Sequence, residues 1–266
     1  MNSFEYLRPA TVADAIAALG NDEAVALAGG QTLLPTMKQR LAAPELVVDL
    51  KGIADLRGIA VQGDAVDIGA TTTHAEVANS AELMRALPAL ADLASGIGDP
   101  QVRHLGTIGG SVANNDPAAD YPAAMLGLGA TIKTNAREIS ADDFFQGLFT
   151  TALEPGEIIT GIGTNLPKRA AYAKFEQRAS RYALVGVFVA ETTGGIRVAV
   201  TGAGNDGVFR ATEIEQALAA NLSADAARGV KISPDAMLSD IHAGADYRAA
   251  LVSEMAAQAV EKMLVG

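Results

Sequence analysis

The rhythm of apolar and polar positions changes several times along the 266 residues, and each change predicts an element. Thr11–Leu19 has helical spacing and a capping-box-like start at Thr11-x-x-Asp14. Ala24–Ala28 is a short apolar strand that runs into Gly29-Gly30. Leu33–Leu41 is again helical and stops before Pro44, and Leu46–Leu50 is a strand of the buried type. Ile59–Val61 and Val66–Ile68, joined through Gly63-Asp64, predict a hairpin. Thr73-x-x-Glu76 caps a helix, and Ala81–Ala94 continues helical with a break at Pro88. From Ser95 to Ala119 no period holds, so this stretch is predicted as the longest loop. Long irregular stretches inside compact folds are usually functional.

Further on, Ile158–Ile162, Ala171–Phe175, Ala183–Ala190 and Ile196–Val200 predict strands, while Thr212–Ala220 and Tyr247–Leu264 predict helices. The last helix sets Leu251, Met255, Ala259 and Met263 on one face. βα units, an irregular middle and a meander with helices together predict an α+β chain, not a regular βαβ succession. A composition shift at Asn165-Leu166-Pro167-Lys168-Arg169 marks the expected boundary between domains 1–167 and 168–266.

Composition narrows the function. Apolar residues make up 49% and charged residues 19%, which excludes a disordered tail. Twenty Lys and Arg against 31 Asp and Glu leave a net charge of −11. With no basic cluster, nucleic-acid binding is excluded, because phosphate contacts need grouped cations. The absence of cysteine removes disulfides, thiolate catalysis and any iron–sulfur cluster on this chain. The N-terminus lacks the basic and apolar regions of a signal peptide, and no apolar run reaches the roughly 18 residues of a membrane span. A cytoplasmic protein without a membrane span is expected.

Three patterns are set aside. Gly202-x-Gly204-x-x-Gly207 has the spacing of a dinucleotide fingerprint, but Val208-Phe209-Arg210 separates it from the helix near Thr212. Helix N–H groups would not face a pyrophosphate there, so a plain β-to-α connection is expected. His74, His104 and His242 lack the paired spacing of metal ligands, and no metal site is expected. Asp116 and Asp120 suggest an acid–base pair, yet Pro117 and the following helix suit turn and capping duty for at least one of them.

Two glycine loops remain. Leu27-Ala28-Gly29-Gly30-Gln31-Thr32-Leu33-Leu34 leads a strand end into a helix start. Its backbone N–H groups, flanked by Gln31 and Thr32, can hold a phosphate without a cation, which suits an acidic chain. Thr107-Ile108-Gly109-Gly110-Ser111-Val112-Ala113-Asn114-Asn115-Asp116-Pro117-Ala118-Ala119-Asp120 again pairs glycines with small polar donors and ends in an acid at a helix start. Either alone is equally well a tight turn. Together they point to a large phosphorylated ligand in a cleft.

These segments carry a resemblance. Residues 27–38, followed by Pro44-Glu45-Leu46-Val47-Val48-Asp49-Leu50, resemble the first FAD-binding segment of the flavoprotein (medium) subunit of molybdenum hydroxylases, the family of aerobic carbon monoxide dehydrogenase and xanthine dehydrogenase. Ile97-Gly98-Asp99-Pro100-Gln101-Val102-Arg103, Thr107–Ser111 and Asp116–Asp120 resemble its second segment. Asp240-Ile241-His242-Ala243-Gly244-Ala245-Asp246-Tyr247-Arg248 is similar to a stretch in its C-terminal domain. The order and spacing match over essentially the whole chain.

The resemblance implies an FAD-binding domain of the vanillyl-alcohol oxidase and p-cresol methylhydroxylase type, followed by a small α+β flavoprotein C-terminal domain. It implies FAD contacts at Leu27, Ala28, Gly29, Gly30, Gln31, Thr32, Leu33 and Leu34, and at Thr107, Gly109, Gly110, Ser111 and Asn114. Asp120 is the implied acidic contact, Ile97 and Ile159 an apolar wall, Lys174 a neighbour of the cofactor and Tyr182 a residue beside the flavin ring. For Tyr182 a core aromatic is the competing reading. The chain departs from the family at Gln177, Arg181 and His104-Leu105, changes that bear on redox tuning and the acceptor. The implied role is electron transfer: a large subunit oxidises substrate at a molybdenum cofactor, a small subunit relays electrons through two 2Fe–2S clusters, and FAD hands them to an acceptor. A dimer of such heterotrimers is expected, with no catalytic residue on this chain. A stand-alone FAD oxidase and a non-catalytic flavin-binding module are the alternatives.

Overall fold

The computed structural model describes residues 1–265. It begins with a small parallel sheet in which Leu46–Asp49 is flanked by Glu5–Leu7 and Ala24–Leu27. The helices Val12–Leu19 and Leu33–Lys38 make the connections. The expected cap of the first helix is present, with the Thr11 hydroxyl accepting from the Asp14 N–H. Leu27 pairs with Asp49 at the carboxyl end of the sheet, so the strand delivers Gly29-Gly30 to the edge where parallel sheets hold their ligands.

Next comes a five-stranded antiparallel sheet in the order Ile59–Gln62, Ala65–Gly69, Ile159–Asn165, Thr131–Thr134, Glu138–Ser140. The predicted hairpin forms its edge, turning at Gly63 with φ +58°. Val66, Ile68, Ile132 and Ile162 of this sheet join one core with the helices Pro88–Ser95 and Asp120–Leu128. The break at Pro88 is real: Ala81–Ala86 and Pro88–Ser95 are separate helices. Thr73 and Glu76 form the reciprocal capping box of the helix His74–Asn79.

All nine residues of Asp120–Leu128 are buried, as befits a helix that is apolar on every side after its first residue. It packs against the four-stranded antiparallel sheet Arg169–Glu176, Ala183–Thr192, Gly195–Gly204 and Gly207–Arg210. On the other face of that sheet, Val185, Val187, Val198 and Val200 meet Val252, Ala256 and Val260 of the C-terminal helix Ala245–Val265. With both faces covered, Ala183–Ala190 is buried throughout and reads as a continuous apolar run.

Three expectations are corrected. The stretch from Ser95 to Ala119 is not a loop: it holds the helices Pro100–Leu105 and Ile108–Asn114. Both carry N-terminal signals, Asp99 before Pro100 and Thr107 before Ile108, but two adjacent glycines mask the second. The helix from Leu33 ends at Lys38. Gly202-x-Gly204-x-x-Gly207 is a hairpin and not a β-to-α connection, since Gly204 pairs with Gly207 across Asn205-Asp206. Two strand pairs, Thr131–Thr134 with Glu138–Ser140 and Phe145–Gly147 with Thr150–Thr151, had no period to announce them.

The close contact of helix and sheet at Gly127 is testable. A Cβ there would stand 2.7 Å from Cδ1 of the fully buried Phe188. Gly127→Val should therefore destabilise by about 1–3 kcal/mol through overpacking, read from denaturant unfolding.

Candidate functional site

A cleft of about 720 Å³ opens at the carboxyl end of the parallel sheet. That is large among small-molecule sites. All the expected contacts line it except Leu34, whose side chain packs against Gly30, and Lys174, which lies behind the wall.

The two glycine segments face this space with opposite chemistry. At Gly30, φ is +71°, a conformation that favours glycine. Beyond it, the N–H groups of Gly30, Gln31, Thr32 and Leu33 find no acceptor among the described residues. Thr32 occupies the N-cap position of Leu33–Lys38 without using its side chain as a cap. Those of Thr32 and Leu33 are orphan donors of a helix start, those of Gly30 and Gln31 belong to the turn that leads into it, and all four residues border the cleft. Gly29 has another reason to lack a side chain: a Cβ would lie 2.6 Å from the Gly106 Cα.

On the second segment the donors are spent. The N–H of Ile108 goes to Thr72 O, that of Gly109 to Ala70 O, that of Gly110 to the Thr107 hydroxyl and that of Ser111 to Thr107 O. Gly109 is a packing glycine, since its Cβ would meet Ala70 at 2.6 Å. Paired glycines thus serve close packing here. What this wall offers the cleft is the side chains of Ser111 and Asn114.

Asp120 closes the space between the walls. Its side chain is buried, and its oxygens accept the Tyr172 hydroxyl at 2.5 Å and the Lys174 ammonium at 3.1 Å. Burial raises the carboxyl pKa, while Lys174 and the Tyr172 bond oppose that shift. Gly186 makes the arrangement possible, because a Cβ there would collide with the Tyr172 hydroxyl oxygen. Lys174 also donates to Gly96 O and Arg181 O, both at 2.9 Å. One ammonium thereby ties together Asp120, the turn before Ile97 and the loop that carries Tyr182. Tyr182 is 47% exposed, so the core-aromatic reading fails, and it borders the cleft. Arg181 beside it takes φ +62°.

The remaining ionisable groups are subdued. Asp116 accepts the Ala118 N–H in a turn, the duty its sequence context suggested, and burial raises its pKa. Glu157 is held down to about 2 by hydrogen bonds from Arg137 and from the Thr134 hydroxyl. His74 is pushed down to about 4 by burial, with Arg103 adding to the effect, and its ring lies 5.3 Å from that of Tyr121. Among the described residues no cluster of His, Asp and Glu has metal-binding geometry.

Sequence reasoning missed Leu153, Glu157, Ile158, Gly98 and His74 as lining residues. Ile158 adjoins the expected Ile159 in one apolar run, which was a usable signal. Leu153 and Glu157 sit in a turn that has none.

The family described as the FAD binding domain in molybdopterin dehydrogenase matches residues 2–168. The chain belongs to that family. It is 38% identical to the carbon monoxide dehydrogenase medium chain of Afipia carboxidovorans, over 98% of this chain and 96% of that one. It is 36% identical to the nicotine 6-hydroxylase medium subunit of Paenarthrobacter nicotinovorans, over 95% and 94%. The solved carbon monoxide dehydrogenase from Hydrogenophaga pseudoflava superposes with a TM-score of 0.88 at 34% identity, covering 99% of this chain and 98% of that one. The chain is accordingly an FAD-dependent oxidoreductase subunit of the molybdenum hydroxylase family, with FAD as its cofactor. None of its described helices is long and apolar enough to cross a membrane.

The state of His74 predicts a pH effect. The unfolded chain protonates this residue near 6.5 and the folded chain only near 4, so its contribution is full above about pH 6.5 and is lost as pH falls towards 4. His74→Gln should flatten the decline of the melting temperature between those values.

Proposed function

We propose that the cleft binds FAD with its pyrophosphate against the free N–H groups of Gly30, Gln31, Thr32 and Leu33. The observation that carries this reading is that row of unpaired donors at a helix start, beside a φ-positive glycine, in a space this large. An anion held so needs no lysine or arginine, and Arg181 at the rim is the only Lys or Arg among the lining residues. Ser111 and Asn114 serve hydroxyl and carbonyl groups of the ligand from the opposite wall. Asp120 accepts from a hydroxyl with what capacity Tyr172 and Lys174 leave, away from the phosphates. Ile97 and Ile159 provide apolar contact, and Tyr182 stands at the flavin end. Leu34 and Lys174 act from behind, through Gly30 and Asp120.

When bound, FAD supplies storage for two electrons between one-electron donors and an external acceptor. The chain provides position and electrostatics only, and has no cysteine with which to hold a cluster of its own. The 2Fe–2S clusters of a small partner subunit would supply the electrons, received from a large subunit that carries the molybdenum cofactor. The medium-chain names of the relatives support such a heterotrimer; a cytoplasmic place and a dimer of heterotrimers are what we propose for it. The division at residue 167 is proposed with it: residues 1–167 form the FAD domain, and 168–266 brace it. Against a stand-alone oxidase, both faces of the C-terminal sheet are packed among the described residues, which suits bracing better than a substrate pocket.

The native complex should contain molybdenum and iron, and the isolated chain should bind FAD yet oxidise no organic substrate. Gly30→Val forces a β-branched residue into a left-handed conformation that costs of order 1–3 kcal/mol and closes the approach to the N–H row. FAD affinity, read by flavin fluorescence, should fall at least tenfold while the circular dichroism of the fold persists. Undiminished affinity would remove this loop from the site.

A further inference from the structure

The C-terminal sheet does more than cover a helix: it grips the segment that forms one side of the cleft. Asp116, Ala119 and Asp120 line that space, and the carbonyls between them point the other way. Pro117 O accepts the Gly202 N–H at 2.8 Å, and Ala118 O accepts the Ala183 N–H at 3.4 Å. The Thr201 hydroxyl lies 3.0 Å from Pro117 O and 2.7 Å from Ala119 O. Thr201 is fully buried. A hydroxyl has one proton to give, Ala119 O is the nearer acceptor, and Pro117 O already has the Gly202 N–H. The proton of Thr201 therefore goes to Ala119 O, the carbonyl that immediately precedes Asp120.

The grip depends on a distortion of its strand. Gly202 has φ +82°, and a Cβ on it would stand 2.6 Å from Ala183 O. The pairing of this strand with Gly207–Arg210 changes register between Val200 and Gly204. The displaced backbone is held by Arg248, a buried arginine from the C-terminal helix. Its Nη1 donates to Gly202 O at 2.6 Å and to Leu184 O at 2.8 Å, while Nη2 pairs with Asp240 at 2.8 Å. The Asp240–Arg248 motif is thus connected to the cleft through two steps, from Arg248 to the bulge and from the bulge to residues 117–119.

We propose that Thr201 and Arg248 are positioning residues for the cofactor cleft, acting through the backbone of residues 117–119 to set the place of Asp120. This rests on the reading of the cleft as the FAD site. The Ala119–Asp120 peptide can turn if Ala119 O loses its donor. The carboxylate then moves, together with the Tyr172 and Lys174 bonds that hold the turn at Gly96 and the Tyr182 loop. Sites tolerate about 0.5 Å of such misplacement before binding suffers.

The test is FAD titration of the full chain and its variants, well below their melting temperatures. Wild type and Thr201→Ser, which keeps the hydroxyl, should bind alike. Thr201→Val and Thr201→Ala should each bind about tenfold more weakly, the effect of losing one hydrogen bond of about 1.4 kcal/mol. The visible absorption of the bound flavin should shift in both. Thr201→Ala guards against a valine variant that fails to fold because its extra methyl abuts a carbonyl. Arg248→Lys, which keeps a charge for Asp240 but not the reach to two carbonyls, should weaken binding in the same direction. If Thr201→Val and Thr201→Ala melt lower but keep wild-type affinity and spectrum, the residue is merely structural and the proposal is overturned. Loss of affinity in Thr201→Ser equal to that in Thr201→Ala overturns it too. Failure of wild type itself to bind FAD would instead overturn the cleft reading on which it stands.

Discussion

A helix start leaves N–H groups that its own chain cannot satisfy, and this fold keeps one such set open beside a cleft. The parallel sheet sets Gly30 at its carboxyl edge, and the left-handed turn there leads directly into the helix that begins at Leu33. Gly29 lets the segment at Leu105-Gly106 come close enough to form the neighbouring wall. In a chain of net charge −11, backbone dipoles attract an anion without adding a cation that the surrounding carboxylates would neutralise.

The acidic residues around the cleft are correspondingly constrained. Glu157 is committed to Arg137, Asp120 to Tyr172 and Lys174, and Asp116 to its own turn. Asp120 is one node between helix and sheet, because it sits at the start of the wholly buried Asp120–Leu128 and draws its partners from the C-terminal sheet. A buried carboxylate is costly unless hydrogen-bonded and paired, so Tyr172 and Lys174 stabilise the node and fix its geometry at once.

Much of this was legible in the sequence, for identifiable reasons. Thr73 with Glu76, Thr11 with Asp14, and the Gly63 turn are local devices whose signals and structures coincide. The buried strand Ala183–Ala190 and the terminal helix carry strong apolar patterns. The helix at Ile108 was hidden because tertiary bonds from its N–H groups to the Ala70 and Thr72 carbonyls stabilise a segment whose glycines have poor intrinsic helix propensity. That the candidate residues lie together was legible, since Leu27–Leu33 and Thr107, Gly109, Gly110, Ser111 and Asn114 border one space. The difference between their walls was not. Which N–H groups remain free depends on carbonyls far away in the chain, and two glycine pairs that look alike on paper serve opposite ends. The backbone grip of Thr201 and Arg248 likewise has no local signature.

Amide hydrogen exchange with and without FAD locates the open donors residue by residue. Saturating FAD should slow exchange at Gly30, Gln31, Thr32 and Leu33, which have no acceptor among the described residues, and leave Ile108–Ser111 nearly unchanged, because those amides are already bonded. Unaltered exchange at Gly30–Leu33 in FAD-saturated protein, or protection appearing chiefly at Ile108–Ser111, would contradict it.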